Sequence, residues 1–237
     1  MGKVKHSKGY IFGQLTLFGG DEITGFGSTI FNIKEIPRKQ ANNIIVNNHY
    51  SKKVTTHSTI HLGVFLNGSM IGVLQYGYAM NPASMAGVVK ETKINEYLEL
   101  NRMWFCDDSP PNAKTQALSY SIKYIKRKFP KIKWIQSFAD ERCNKFGIVY
   151  QAANFLYCGG HTSIFWELDG ETFHNSIMTN KRRQRGYKLL NDSKIKNRLV
   201  KHTFRQFRYI YFIKKAYKKD LCFKIQPYPK HYDQDNS

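Results

Sequence analysis

Apolar residues spaced by three or four positions predict two long amphipathic helices. The first lies in PRKQANNIIVNNHY, after Pro37, and runs into His49. The second is NAKTQALSYSIKYIKRKF, which Pro130 ends. Each places its apolar residues on one face, as expected for a helix packed on a core: Ala41, Ile44 and Ile45 in the first, and Ala117, Leu118, Ile122 and Ile125 in the second.

Short apolar runs predict strands around these helices. HLGVFLNGSMIGVLQYGYAM reads as two strands joined by a turn at Asn67-Gly68, a strong hairpin signal. Further strands are predicted at residues 97–105, 134–140, after Gly159-Gly160 and at 206–213, and a shorter helix at 143–154. This order predicts an α/β fold with a mixed, mostly antiparallel sheet flanked by helices, because it is not a repeat of βαβ units.

The charge of the chain indicates which kind of partner the protein binds. Of 237 residues, 37 are Lys or Arg and 17 are Asp or Glu, which gives a net charge of +20. Such repulsion suits a protein that binds a polyanion, and the many aromatic residues suit stacking on bases. A nucleic acid, such as double-stranded DNA, is the expected partner, an anionic membrane surface is a weaker one, and a merely soluble basic surface is the alternative.

The basic residues are densest between the last two predicted strands. The segment 178–208 is expected to contact DNA phosphates and to position the backbone rather than to read bases. Its leading candidates are Lys181, Arg182, Arg183, Arg185 and Lys188. A solvated basic loop is the alternative for this segment.

Several classes of protein are disfavoured. No apolar window reaches the roughly 18 residues of a membrane span, and no secretory signal is visible, which predicts an intracellular, cytoplasmic protein. The four cysteines form no CxxC pair, so neither a disulfide framework nor a zinc site is expected. GxGxxG, GxxxxGK[ST] and GxSxG are absent, which argues against nucleotide-phosphate loops and a hydrolase elbow.

The order and spacing of four segments carry a family resemblance. The segments are NNHYSKK, LGVFLNGSMIGVLQYG, LELNRMWF and SFADERCNKFGIVYQAANFLYCG, and the later strand QFRYIYFI also fits. Together they resemble the phage Mom family of DNA adenine modifiers, and the order of the predicted elements is similar to that of the GNAT acyltransferase fold. The resemblance covers roughly residues 31–166. It implies conversion of adenine in DNA to an N6-carbamoylmethyl adenine, which shields phage DNA from restriction enzymes.

The donor of the transferred group stays open. GNAT enzymes cradle the pyrophosphate of acetyl-CoA with a Gly-rich loop at a helix N-terminus. The corresponding segment here, CDDSPPNAKTQ, has no glycine, two prolines without amide donors and two acids. This weakens the case for an acyl-CoA, and an aminoacyl-tRNA is the alternative, since glycine on a tRNA would supply the atoms of a carbamoylmethyl group.

Candidate catalytic residues follow from the predicted elements. Asp140 ends a strand at the carboxyl edge, where open sheets bind ligands, and is the expected general base. His49 and Tyr50, with Ser51 as a binding residue, follow the first helix. Tyr150 lies where many GNAT enzymes carry a tyrosine acid. The alternative interpretations are helix caps for Asp140 and His49, and core packing for Tyr50 and Tyr150.

Four further residues are candidates for substrate or donor binding or catalysis. Strict alternation would place Glu99 on one face of its strand and Arg102 on the other, among leucines, where an anion could meet the arginine. A salt bridge within the sheet is the alternative for Arg102. Asn112 and Ser119 lie in the second long helix. His57 and His61 are four residues apart, and some Mom relatives are associated with iron, but this spacing in a strand does not align ligands, so no metal is predicted.

The N-terminal segment contains a candidate protein-docking motif. QLTLF resembles the motif by which bacterial proteins dock on the sliding clamp, with Leu and Phe in an apolar pocket and Gln at its rim. Gln14, Leu15, Leu17 and Phe18 are the candidate contacts, and an edge strand is the alternative.

Three parts are therefore predicted: a flexible segment 1–28, a GNAT-like catalytic domain 29–226 and a tail 227–237. The expected activity is that of a transferase acting on adenine in DNA. The alternatives are a non-catalytic DNA-binding protein on a degenerate GNAT scaffold, and a GNAT acetyltransferase with another substrate.

Overall fold

A computed structural model describes residues 10–15, 21–143, 146–179, 181–182 and 184–229. Within them, ten strands form one sheet. In chain order the strands are β1 (Tyr10–Leu15), β2 (Asp21–Gly27), β3 (Phe31–Glu35), β4 (Ser58–Leu66), β5 (Ser69–Gly77), β6 (Tyr97–Phe105), β7 (Trp134–Asp140), β8 (Leu156–Leu168), β9 (Glu171–His174) and β10 (Val200–Phe212).

The described α-helices are two long ones and four shorter ones. The long helices are α1 (Arg38–Asn48) and α2 (Ala113–Lys128). The shorter helices are α3 (Ile148–Ala152), α4 (Asn175–Met178), α5 (Gln184–Asn191) and α6 (Ser193–Lys196). The two amphipathic helices and the hairpin β4–β5 are confirmed where the sequence predicts them.

The sheet runs in the order β1-β2-β3-β4-β5-β6-β7-β10-β8-β9. Among the described strands, every neighbouring pair is antiparallel except β6 and β7, which are parallel. This confirms the predicted mixed, mostly antiparallel sheet. The last strand lies between β7 and β8, so the C-terminal half of the chain completes the sheet around β7.

The two long helices cover opposite faces of the sheet. On β5, the Tyr76 hydroxyl bonds to Ser121 of α2, whereas the neighbouring Gln75 donates from Nε2 to Asn42 of α1 at 3.0 Å. Successive residues of a strand point to opposite faces, so the two helices must lie on different sides. The α2 face holds the main apolar core, in which Leu118 is fully buried.

β6 and β7 pair over three residues and then separate. Their register joins Tyr97 to Trp134, Leu98 to Ile135 and Glu99 to Gln136, although β6 continues to Phe105 and β7 to Asp140. Two strands that part in the middle of a sheet leave a gap between their ends. This gap is where the candidate active site lies.

A β-bulge corrects the predicted orientation of Arg102. The register of β5 and β6 shifts between Gln75, which faces Arg102, and Tyr76, which faces Leu100, so that Asn101 is the extra residue. Directly paired residues share a face, so Arg102 lies on the α1 face with Gln75 and not among the leucines of the core. Strict alternation failed here because a bulge inserts one residue.

The described part of the predicted flexible segment 1–28 contains two strands. β1 and β2 form an antiparallel hairpin at the edge of the sheet, in which Gln14 pairs with Glu22 and Leu15 with Asp21. For Gln14 and Leu15 the edge-strand alternative is therefore what the backbone shows. Leu17 and Phe18 lie outside the described residues.

The described start of the predicted tail packs against the domain. Tyr228 donates its hydroxyl to the carbonyl of Phe155 at 2.8 Å, and Gln226, the last residue of the predicted domain, donates its backbone N–H to the carbonyl of Tyr157 at 2.9 Å. Residues 230–237 lie outside the described part of the chain. None of the described helices is both long and apolar enough to span a membrane.

Candidate active site

A pocket of about 310 Å³ lies where β6 and β7 part. Four stretches of chain line it: the end of α1 with the following turn, the middle of β6, the end of β7, and the loop and first turn of α3. Its lining residues are His49, Tyr50, Leu100, Asn101, Arg102, Met103, Phe138, Ala139, Asp140, Phe146, Gly147, Ile148, Val149 and Tyr150. The five predicted catalytic residues are all in this set.

The buried imidazole of His49 is held in one orientation by the turn that follows it. Its Nδ1 accepts the backbone N–H of Ser51 at 3.1 Å and lies 2.9 Å from the Ser51 hydroxyl. Because Nδ1 is the acceptor, the neutral ring carries its proton on Nε2. Ser51, which was predicted to bind substrate, thus orients His49 and is not among the residues that line the pocket.

Tyr50 is the exposed aromatic wall of the pocket. Its side chain is 57% exposed, and its ring packs on the His49 ring with centroids 4.3 Å apart. Its hydroxyl makes a long contact of 3.5 Å with Asp140 Oδ2. A partly exposed ring beside a carboxylate is suited to contact a flat ligand that enters from solvent.

Asp140 ends β7 with its carboxylate buried in the pocket. Arg142 donates to it from its backbone N–H at 3.0 Å and from Nε at 3.0 Å, and its terminal nitrogen also pairs with Oδ2. The backbone bond means that Asp140 also caps the turn Glu141–Cys143, as the alternative interpretation had it. Sequence reasoning missed Arg142, although an arginine two residues after a strand-terminal acid was a visible signal.

Arg102 carries a charge without a carboxylate partner among the described residues. Its Nε donates to the carbonyl of Lys53 at 3.0 Å and its Nη1 to the carbonyl of Asn101 at 2.7 Å. Burial lowers the pKa of Arg102, and the nearby Tyr50 and Glu99 oppose that shift. The predicted alternative, a salt bridge within the sheet, does not appear in the described part of the chain. A guanidinium fixed by carbonyls at a pocket wall can bind an anionic or polarised oxygen.

Tyr150 forms the inner wall of the pocket. Its ring is buried and packs against Tyr209 at 5.3 Å and Phe155 at 5.7 Å between centroids. Core packing, the alternative interpretation of Tyr150, therefore accounts for most contacts of its ring. α3 begins after Gly147, whose φ of +78° turns the chain so that Tyr150 faces the pocket.

Glu99 lies next to the pocket and takes part in a buried polar network. Its carboxylate accepts Gln136 Nε2 at 2.7 Å and Asn101 Nδ2 at 3.1 Å, and Arg208 donates to the same Gln136 at 2.8 Å. Burial raises the pKa of Glu99, against the effect of these hydrogen bonds. Glu99 thus supports Asn101, a lining residue, and does not itself line the pocket.

The other two predicted binding residues are in α2. Asn112 is an exposed N-cap residue with φ +65°, and Ser119 is in the body of the helix; neither lines the pocket. The start of α2 does not fit the pyrophosphate of an acyl-CoA. Pro110 and Pro111 have no N–H, and the amide of Ala113 is already bonded to the carbonyl of Pro110.

The residues do not fit the metal site considered at His57 and His61. His61 is buried, and its Nδ1 accepts from Gln75 Nε2 at 3.1 Å, whereas His57 is exposed in a turn. Within the described ranges, no group of three His, Cys, Asp or Glu side chains is placed to bind a metal ion.

One residue of the basic segment, Arg185, is linked by contacts to the pocket wall. Lys181, Arg182 and Lys188 are exposed, Arg183 lies outside the described residues, and Arg185 pairs with Glu171 at 3.2 Å. Arg185 also lies over the Phe173 ring at 5.9 Å, and Lys53 lies over the same ring at 5.6 Å. Since the carbonyl of Lys53 holds Arg102, one short chain of contacts joins the basic segment to the pocket wall.

Solved acetyltransferases resemble the overall arrangement. A ribosomal-protein-S5-alanine acetyltransferase from Vibrio fischeri has a TM-score of 0.47 and 10% identity, and the match covers 82% of this chain and 98% of that one. An acetyltransferase of the GNAT family from Streptococcus pneumoniae has a TM-score of 0.44 and 10% identity, over 77% and 98%. At these values the similarity carries no information about donor or acceptor.

Sequence comparison is far more specific. The protein named "Methylcarbamoylase mom" of Escherichia phage Mu is 47% identical over 214 residues, which are 88% of this chain and 88% of that protein. The sequence profile of the Mom protein family matches residues 30–230. The predicted family resemblance is confirmed: this chain belongs to the Mom protein family.

Proposed function

We propose that this protein modifies DNA by transferring a carbamoylmethyl group to N6 of adenine. The observation that carries the proposal is the convergence of His49, Tyr50, Arg102, Asp140 and Tyr150, from four separate stretches of chain, on one pocket. The name of the phage Mu relative, a methylcarbamoylase, supports the same reaction class. The resemblance noted in the sequence supplies adenine in DNA as the acceptor.

The pocket suits a base that has left the duplex. An enzyme that acts on a base inside DNA must extrude it into a cavity, where aromatic and apolar side chains stack on it. Tyr50, Phe138 and Tyr150 supply aromatic surface, and Leu100 and Met103 supply apolar surface. The exposed Tyr50 lies at the entry, so it is the first ring that an incoming adenine contacts.

Two groups in the pocket are placed for proton transfer. The N6 amine of adenine is a poor nucleophile because its lone pair is delocalised into the ring, so a base must accept its proton as the N6–carbon bond forms and the donor's leaving group departs. With a glycyl-tRNA, attack on the ester carbon would release the tRNA hydroxyl and give N6-glycyl adenine, an isomer of N6-carbamoylmethyl adenine, so an isomerisation that exchanges the two nitrogens would have to complete the transfer. Asp140 is our proposed base, with the Tyr50 hydroxyl 3.5 Å away. His49, with its Nε2–H directed away from Ser51, is placed to donate a hydrogen bond to the acceptor base or the donor.

Arg102 is the proposed oxygen-binding group. Carbonyl groups fix the guanidinium, so it is oriented before a substrate arrives, and such preorganised donors stabilise developing negative charge. A carbonyl, carboxylate or phosphate oxygen of the donor is the expected ligand. Of the two donor classes considered, an aminoacyl-tRNA such as glycyl-tRNA is favoured over an acyl-CoA, because the start of α2 offers a poor pyrophosphate site.

The test is to express the protein in a bacterium, digest the host DNA to nucleosides and weigh them. Wild-type protein is expected to yield an adenosine species with the added carbamoylmethyl mass, and feeding labelled glycine then tests the donor. Asp140→Asn is expected to abolish that species while DNA affinity stays nearly unchanged, because the amide keeps the shape but cannot accept the proton.

Glu96→Gln is the matched control. Glu96 forms an ion pair with Lys133 at 2.7 Å, immediately before β6 and at the opposite end from the pocket. This variant is expected to modify DNA like the wild type. Full modification by Asp140→Asn would remove Asp140 as the base. Unmodified DNA in cells rich in folded wild-type protein and supplied with both donor classes would favour a non-catalytic DNA-binding protein.

A further inference from the structure

Beyond the pocket, four rings form what we call the aromatic strip: Phe165, His174, His202 and Phe204. Phe165 is paired across the sheet with both His202 and His174, and directly paired residues share a face. Gln206 is paired with Asp140, and Phe204 lies two residues before Gln206 on β10. The strip therefore lies on the same face of the sheet as the Asp140 side chain.

The rings of the strip contact one another. His202 and Phe204 are stacked, with centroids 5.8 Å apart and planes inclined by 14°. Phe165 is 6.2 Å from Phe204 and meets His174 edge-on at 5.1 Å. Phe165 is buried, while the other three rings keep part of their surface exposed. The strip is thus a continuous and accessible aromatic surface, not a closed core.

Arg142 joins the aromatic strip to the pocket. Its guanidinium lies 3.8 Å from the centroid of Phe165 and 5.8 Å from that of Phe204, while the same group pairs with Asp140. A single side chain therefore spans the distance between the pocket carboxylate and the strip. A polymer with one unit in the pocket would bring the adjacent unit onto the strip.

Two exposed cations flank the strip at the edge strand β9. Lys53 and Arg185 lie over Phe173, which pairs with Trp166 and therefore faces the other side of the sheet from its neighbour His174. His174 accepts the backbone N–H of Ser176 on Nδ1, which requires a neutral ring, and its pKa is lowered by burial and then by Arg142. The acid in contact with the strip is Glu167, which pairs with His202 at 2.9 Å.

We propose that the aromatic strip stacks an unpaired nucleobase next to the adenine in the pocket, with Phe204 as its main contact. Stacking on an aromatic ring tolerates any base, so the strip requires no particular neighbour of the target adenine. A protein that extrudes one base unstacks its neighbour as well, and the strip would stabilise that neighbour. The inference rests on the proposed function for the identity of the polymer.

The test measures the affinity of the full-length protein for a single-stranded oligonucleotide and for its duplex by fluorescence anisotropy. Phe204→Leu keeps an apolar side chain but removes the ring, and is expected to weaken single-strand binding by about five-fold or more, given the usual contribution of a stacked base. Phe204→Trp is expected to restore it. 2-Aminopurine beside the target adenine should be quenched by the wild type and not by Phe204→Leu.

The matched control is Phe65→Leu, because Phe65 is also half-buried and lies under a cation, Lys34, at 5.9 Å, but on β4 and outside the pocket. It should bind like the wild type. Unchanged single-strand affinity and quenching in a folded Phe204→Leu would overturn the strip proposal even if DNA is modified. A clear loss in Phe204→Leu with no modified adenine in the cell would keep the strip and reject the proposed reaction.

Discussion

Glu99 shows how a single buried carboxyl can make stability depend on pH. Its two oxygens accept hydrogen bonds from Gln136 and Asn101, yet burial raises its pKa. A raised folded-state pKa means that the folded protein holds its proton more firmly than the unfolded chain. The stability that Glu99 contributes is therefore fully present below its pKa in the unfolded chain, and it is lost as the pH rises through its pKa in the folded protein.

Replacing this carboxyl should change the pH dependence in a defined direction. Glu99→Gln removes the ionisation, so the variant lacks the loss that the wild type suffers on going to higher pH. We expect the difference in the free energy of unfolding, variant minus wild type, to be larger at pH 8 than at pH 5, so that the variant gains stability relative to wild type as the pH rises. Urea unfolding at the two pH values measures it, and an equal difference at both would contradict it.

The catalytic candidates were predictable one by one, but their surroundings were not. Asp140 follows an apolar run, and His49 and Tyr50 follow a periodic helix, so sequence alone places them at the ends of elements. Arg102 was found, but its face was wrong because the bulge at Asn101 leaves no local signature. Arg142 was missed because its role depends on a side chain folding back onto Asp140 and Phe165.

At the scale of elements, the short helix α3 depends on one glycine. The sequence predicts a helix over residues 143–154, whereas the described helix spans Ile148–Ala152. Gly147 precedes it with a φ of +78°, and a Cβ there would lie 2.3 Å from the Tyr209 ring. Periodicity missed the later start of the helix because the close approach of Gly147 to Tyr209 on β10 is a tertiary contact.

Gly147→Ala is expected to destabilise the protein by more than about 1 kcal/mol, since alanine is strained at positive φ. Because α3 carries Tyr150, DNA modification should also fall in the folded fraction. Thermal unfolding and nucleoside analysis measure the two effects. Gly87→Ala is the control, since a Cβ at Gly87 meets nothing within 4 Å. Equal melting of both variants would argue against the clash.

Other elements differ from their predictions for similar reasons. β10 begins at Val200, six residues before the predicted start, because it pairs with β8 along a long ribbon of mixed polar and aromatic residues. β1 and β2 went unpredicted because glycines obscure their alternation. Docking of QLTLF on a sliding clamp stays a prediction, with Gln14 and Leu15 on an edge strand.

At the scale of the whole molecule, the net charge of +20 dominates association with DNA. Each phosphate neutralised releases counterions, so the logarithm of affinity falls with that of salt in proportion to the number of phosphates bound. Of the exposed cations in 178–208, Arg185 lies over the same Phe173 ring as Lys53, whose carbonyl accepts a hydrogen bond from Arg102 at the pocket wall. Composition alone predicted the partner class but not this placement.

Lys181→Ala with Lys188→Ala should weaken duplex binding and make the salt slope shallower by roughly 1 for each phosphate that the variant no longer neutralises. Affinity measured over a range of salt concentrations gives both quantities. Lys131→Ala is the control, since Lys131 is exposed before the start of β7, at the end away from Asp140. A slope that Lys131→Ala changes as much as the double variant would assign the effect to general charge.

The place of β10 in the sheet bears on when the pocket can form during synthesis. β7, which carries Asp140, gains its second neighbour only when β10 inserts between it and β8. β10 ends at Phe212, so this wall of the pocket is supported on both sides only after residue 212 has been synthesised. Domains fold as units during synthesis, so we expect the pocket to form only after β10 has been made.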